Sequence, residues 1–203
     1  MSAFEFFFSF YGLLLGFSVA ELIGGFARLI HERRRVAFGL LTPLLGLFVA
    51  IDIASFWVQA WLVFRNAPFS YALLVLGLVV AAVFYMAASM VFPRQLGARA
   101  NLDSHFWEHR RWVLLGVMGA NLLMVGVIVL MASRSGELAQ ILPPFGAART
   151  AFFMLATLAA ALLPQRRAVL TLMILLVAYQ LWGVATDAVR LLHGPAWSLL
   201  GGA

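Results

Sequence analysis

Arg110 to Ala132 reads RRWVLLGVMGANLLMVGVIVLMA: two arginines, a tryptophan, then no charged side chain to the end of the run. About 20 apolar residues rising 1.5 Å each as a helix cross the roughly 30 Å hydrocarbon core of a bilayer. Trp112–Ala132 is therefore predicted to be a membrane-crossing helix entered from a basic bend at Arg110 and Arg111. Working outward, five more runs of the same kind appear: Phe4–Ile30, Val36–Phe64, Phe69–Phe92, Phe145–Leu163 and Ala168–Leu192. The second is longer than a perpendicular crossing needs and is expected to tilt or protrude. The fifth opens after Pro143-Pro144 and carries Arg149 near its start. The expected fold is all-α: one polytopic transmembrane helix bundle of six spans, occupying residues 1–203 as a single domain.

Composition excludes the alternatives. The chain is 64% hydrophobic and 11% charged, with a mean hydropathy of +0.99, which leaves too little polar surface for a water-soluble domain. All 14 basic residues are arginine, against 8 acidic residues. A basic balance can mark nucleic-acid binding, but these arginines are dispersed over helix ends rather than gathered on one soluble face, so no nucleic-acid partner is expected. With no cysteine, disulfides, thiolate metal sites and cysteine nucleophiles are excluded. Ser18-Val19-Ala20 resembles a signal-peptide cleavage site, but Glu5 rather than a basic residue precedes the apolar run, so the segment is read as a retained first helix.

The arginines set an orientation. Arg28, Arg33, Arg34 and Arg35 belong to the first connector and its flank, Arg94, Arg99, Arg110 and Arg111 to the third, and Arg166 and Arg167 to the fifth. Arg65, Arg134, Arg149 and Arg190 fall on the opposite side. The positive-inside rule then places connectors one, three and five in the cytoplasm and both termini outside, which in a bacterial inner membrane is the periplasm. Trp57, Trp61, Phe64, Phe69, Tyr71 and Trp197 gather at the expected outer interface, and Phe106, Trp107 and Trp112 at the inner one. An Arg-Arg-x-Val pattern opens each return helix, at Arg33–Val36 (here with a third arginine), Arg110–Val113 and Arg166–Val169. Three hairpins with basic bends produce this pattern, and convergence on the positive-inside rule explains it better than triplication. In the long third connector, Asn101 or Asp103 is placed to cap a helix running through residues 104–111 into the fourth span.

Two segments carry a family resemblance. Gly12-Leu13-Leu14-Leu15-Gly16 through Ala20-Glu21-Leu22, with Ala27-Arg28-Leu29-Ile30, resembles the opening of an uncharacterised group of small bacterial six-helix integral membrane proteins. Leu102-Asp103-Ser104-His105-Phe106, followed by Arg110-Arg111-Trp112, resembles that group's central connector. The resemblance covers residues 1–113 and implies a six-helix membrane protein; it implies no activity.

Polar side chains inside hydrocarbon are costly, about 2.5–3.5 kcal/mol for a charged one at mid-helix even on the lower scales, so each is a candidate for function or for joining helices. Glu21 and Arg28 share a face of the first span, about 10 Å apart along its axis. Asp52, Ser55 and Gln59 form a stripe on the second span, and Gln180, Gly183, Asp187 and Arg190 form another on the sixth, with Asp187 and Arg190 spaced to pair. Were the second and sixth spans adjacent, these stripes would line a polar cleft opening outward above Glu21. Gly12, Gly16, Ala20 and Gly24 recur every four residues, a pattern that admits a closely packed helix, with Gly116 and Ala120 as a counterpart. His105 and His109 are one turn apart and could share a metal ion, but four histidines in all favour solvated interfacial side chains, and no metal or other cofactor is expected.

No Gly-rich phosphate loop or serine elbow occurs, and no catalytic residue is assigned. The leading expectation is a channel or transporter for an ion, proton or small solute, with Asp52 as binding group, Ser55, Gln59, Gln180 and Asp187 along the pathway, Glu21 as inner relay or gate, and Arg28 and Arg190 as ion-pair partners. The alternative is a non-catalytic scaffold or accessory subunit docking through the glycine stripe of the first span. A cytoplasmic-face metalloenzyme comes third. Beyond the lipid bilayer, the expected partner is a second copy or another membrane protein.

Overall fold

The computed structural model describes residues 3–32, 39–64, 70–94, 101–136 and 144–193. Arg33, Arg34, Arg35, Val36, Arg65, Phe69, Arg99, Pro143 and Trp197 lie outside the described residues.

Six helices make up the described chain: α1 (Ala3–His31), α2 (Leu41–Phe64), α3 (Tyr71–Val91), α4 (Leu102–Ser135), α5 (Pro144–Leu162) and α6 (Arg166–His193). Their ends follow local chemistry. The Ser70 hydroxyl accepts from the Leu73 N–H and caps α3, and the Asn101 side chain accepts from the Asp103 N–H and caps α4. Gly136 closes α4 in the left-handed region (φ 74°), returning its N–H to the Ala132 carbonyl. Proline opens α5 at Pro144, where its missing N–H costs nothing, and Pro164 stops α5 and separates it from α6. As expected, residues 104–111 run without a break into the fourth apolar run.

Five of the helices (all but α5) are long and apolar enough to cross a membrane. Large apolar side chains such as Leu13, Leu122, Leu155 and Leu175 cover the outside of the bundle, a surface suited to lipid rather than water.

Helix α2 is the centre. It packs on α1, α3, α4 and α6, and the arc closes through α1–α3, α3–α4, α4–α5 and α5–α6 contacts, while α1 and α6 do not meet. Each sequential pair is adjacent, as three hairpins require. The core runs from Phe7, Tyr11 and Phe64 at one end, through Phe48, Ile53, Phe56 and Phe84, to Leu102 and Phe106 at the other. Phe106 is fully buried rather than interfacial, whereas Trp112 is exposed.

A third element is wedged between α1 and α2. Phe92, just past the end of α3, lays its ring between Gly25 of α1 and Gly46 of α2, stacked edge-on against Phe26 at 4.8 Å. A methyl at Gly46 would come within 2.8 Å of that ring, and one at Gly25 would fall inside its contact surface. The expected stripe packs differently. Gly12 lies under Trp57, Gly24 has only its own helix's Arg28 nearby, Gly16 has nothing near it, and Ala20 is exposed. Gly116 faces α3 at Val83 and Ala87 instead of α1, and Ala120 is fully buried.

The first turns of α4 tie four other helix ends together. Thr42, in the first turn of α2, donates to the Leu102 carbonyl at 2.8 Å. His105 Nε2 binds the Met90 carbonyl at the end of α3, and Asp103 pairs with Arg166 at the start of α6. Arg110 is buried, lies 3.9 Å from the Trp107 ring centroid, and donates to the Ala160 carbonyl at 2.8 Å. In an unbroken helix that carbonyl would accept from residue 164, but Pro164 has no N–H, and Arg110 supplies the missing donor. Arg110→Ala is therefore expected to destabilise the protein by about 1–3 kcal/mol, the cost of a bare buried carbonyl, measured by reversible unfolding in mixed micelles. An unchanged unfolding midpoint would refute this role. The arginine doublets thus do different work: Arg110 caps a helix, while Arg166 pairs with a carboxylate.

Candidate functional site

Asp52 lies midway along α2 and is 3% exposed. Its carboxylate is held from two other helices: Asn121 of α4 donates through Nδ2 to Oδ2 at 2.8 Å, and Gln180 of α6 donates through Nε2 to Oδ1 at 3.3 Å. Both partners are neutral, and among the described residues no ion pair reaches Asp52. Around it, the neighbouring turns of the three helices bury Phe48, Ile53, Phe56, Val117, Met124 and Leu176. A lone carboxylate is thus enclosed in an apolar bundle and steadied by amide dipoles.

The two amides are not equivalent. Asn121 Nδ2 also donates to the Val117 carbonyl one turn back, at 3.0 Å, so both of its hydrogens are engaged and its orientation is fixed. Gln180, 9% exposed, makes the longer bond to Asp52, and its buried Oε1 has no hydrogen-bond partner among the described residues. An unsatisfied buried acceptor costs about 1–3 kcal/mol, so this end of the site is unfinished as it stands.

Of the sequence candidates, the structure brings Gln180 to the Asp52 carboxylate and keeps the others away from it. The Ser55 hydroxyl turns back to the Asp52 backbone carbonyl at 2.9 Å, and Gln59 is exposed on the outside of α2. Asp187 and Arg190 form an exposed pair at 3.9 Å near the end of α6. Glu21 and Arg28 pair at 3.6 Å within α1, which does not touch α6. Tyr179, beside Gln180, accepts from Arg149 Nε at 3.2 Å on the face shared with α5. Asn121 is the residue that sequence reasoning missed. It sits alone in the apolar run of α4 with no polar neighbour at helical spacing, so no stripe marked it; its being the one amide between Trp112 and Ala132 was the available signal.

The histidine pair is built into the bundle. The rings of His105 and His109 stack with centroids 4.2 Å apart, and each binds a backbone carbonyl: His105 Nε2 that of Met90, His109 Nδ1 that of His105. Among the described residues no three His, Cys, Asp or Glu side chains converge as a metal-ligand set.

Among the described residues, hollows also lie away from Asp52. One is apolar, between Phe7, Tyr11, Phe56, Gly77 and Leu123; the Tyr11 hydroxyl is buried without a partner among the described residues. Another is an open groove on α1 along Ser9, Gly12, Gly16 and Ala20, walled by Trp57. Compared with protein-family models, with curated proteins and with solved structures, the chain matches none, so the chemistry of its own buried groups carries the functional reading.

Proposed function

We propose that the chain is a six-span protein of a bacterial inner membrane, both termini periplasmic, that moves an ion, a proton or a small solute through the bundle with Asp52 as the binding group. The observation behind this is the Asp52 carboxylate itself, enclosed between three helices and partnered only by neutral amides. Joining α2 to α4 and α6 needs no more than an amide or a hydroxyl. A carboxyl at that depth is costly and is retained where a charge or proton is to be exchanged.

Two features support the topology. Arg28, Arg94, Arg110, Arg111, Arg166 and Arg167 lie at one end of the bundle, and Arg134, Arg149 and Arg190 at the other. As the fifth span, α5 has 19 residues and a length of about 28 Å. Its Thr150 and Thr157 hydroxyls return to carbonyls of their own helix, satisfying polar groups as lipid requires.

Gradient-driven flux into vesicles containing the purified full chain tests the reading. The chain has no cysteine, so one can be placed at Gly183, one turn beyond Gln180, where a side chain has open space. Flux above protein-free vesicles is expected, falling about tenfold or more when that cysteine is modified by a charged, water-soluble thiol reagent. Absence of flux for protons, alkali cations and small polar solutes alike would end the reading.

The groove on α1 favours a second reading, an accessory subunit. Gly16 and Ala20 form a shallow, uncovered seat where a transmembrane helix of another protein could approach closely. If so, Gly16→Leu releases a co-purifying membrane protein while the fold is kept; retention of that partner counts against docking here.

A further inference from the structure

We propose that Asp52 binds a proton and that Gln180 reports it by reversing its amide. In the observed arrangement Gln180 Nε2 donates to Oδ1 of Asp52, while Gln180 Oε1 is buried without a partner among the described residues. When a hydronium ion delivers its proton to Oδ1, the carboxylate becomes a neutral acid, an O–H bond forms and water leaves. Oδ1 is then a donor, and the facing N–H no longer has a full negative charge to meet. A half-turn of the terminal Gln180 torsion brings Oε1 to the new O–H and gives that acceptor a partner, while Nε2 moves to the side Oε1 has left. Asn121 cannot follow, because its second hydrogen is held by the Val117 carbonyl; it keeps Oδ2 in place while Oδ1 changes role.

The composition of the site selects a proton over a metal cation. A metal ion of the alkali or alkaline-earth type needs a shell of several oxygens. Among the described residues, the side-chain oxygen beside the carboxylate that stands buried without a partner is Gln180 Oε1: Asn121 presents its nitrogen, the Ser55 hydroxyl is turned to its own helix, and the flanking turns are apolar. Among the described residues the Glu21–Arg28, Asp103–Arg166 and Asp187–Arg190 ion pairs all lie elsewhere, and the side chains that bond the Asp52 carboxylate are the two amides. The inference rests on reading Asp52 as the group that meets the transported species, and it names that species, or the species coupled to it, as the proton.

Infrared difference spectra of the full chain in lipid, taken between alkaline and acidic buffer, test this directly. A carboxylic-acid carbonyl band is expected on acidification, absent in Asp52→Asn, together with a glutamine side-chain amide band that titrates at the same midpoint. In Gln180→Leu the amide band is lost and the acid band shifts in frequency; Gln180→Met, checked for helix content, gives the same result if leucine perturbs folding. An acid band unaltered in both variants, no Asp52-dependent band, or a band that responds to sodium but not to pH would overturn the proposal. The bands separate this inference from the transport reading. Bands without flux leave the proton site standing and remove transport; flux that depends on Asp52 without pH-dependent bands does the reverse.

Discussion

Asp52→Asn is expected to lower flux in reconstituted vesicles by about 100-fold, the usual scale for removing a positioned proton-transfer group, while the protein folds and inserts normally. The separation is expected because asparagine has the shape of aspartate. It can still accept from Asn121 through its oxygen. Its new N–H2 would face the Gln180 nitrogen, but Gln180 has an unused Oε1 and can turn it inward, so the variant mimics the protonated acid. The unfolding midpoint should therefore stay close to that of the parent. Asp52→Leu is the contrasting case. It strands the donors of both Asn121 and Gln180, at about 1–3 kcal/mol each, and should lose stability as well as flux. Full flux in a well-folded Asp52→Asn protein would remove Asp52 from the pathway.

The second large effect is steric. Gly25→Leu is expected to prevent the folded protein from accumulating, because the new side chain claims the space of the Phe92 ring, which is itself wedged against Gly46 and Phe26. Overpacking of this kind costs about 1–3 kcal/mol and sometimes more, and a ring held on three sides cannot step aside. The control is a double substitution: Phe92→Ala destabilises alone, yet combined with Gly25→Leu it should recover much of the loss, because one change vacates what the other fills. If Gly25→Leu folds like the parent, or if Phe92→Ala gives no rescue, the wedge is not what joins α1 to α2. Gly24→Leu, one position along on a face with open room, should be far milder.

That one-residue contrast marks how far the sequence could be read. Helix number was legible because hydrocarbon imposes a length, and Asn101 and the prolines mark ends locally; the start of the second helix was not, because the apolar run continues back to Val36 while the helix begins at Leu41, after the non-helical Gly39 and Leu40. The spacing of Gly12, Gly16, Ala20 and Gly24 was legible as a small-residue face, but not its use. The glycine that matters is Gly25, and its partner is a phenylalanine beyond the end of another helix, a relation with no periodic trace. The same holds for the site. Asp52 and Gln180 stood out as polar residues in apolar helices, and their meeting follows from α2 and α6 being neighbours. Asn121 belonged to no stripe. Ser55 and Gln59 shared a helical face on paper, yet a serine can satisfy itself on its own backbone and a glutamine two turns along can lie on the outer surface. Spacing shows which residues share a line, while the turning of each side chain depends on what it meets.

The ties made by the opening turns of α4 constrain how this molecule could change shape. Residues 102–110 hold the ends of α2, α3, α5 and α6 by hydrogen bonds and an ion pair, whereas toward the far end α1 meets α2 through rings, Phe7 on Phe64 and Phe8 on Trp61. A folding fan riveted along one edge behaves the same way: its ribs spread only at the free edge. Water seeking the middle of this bundle would find the riveted edge shut and enter where the ribs part.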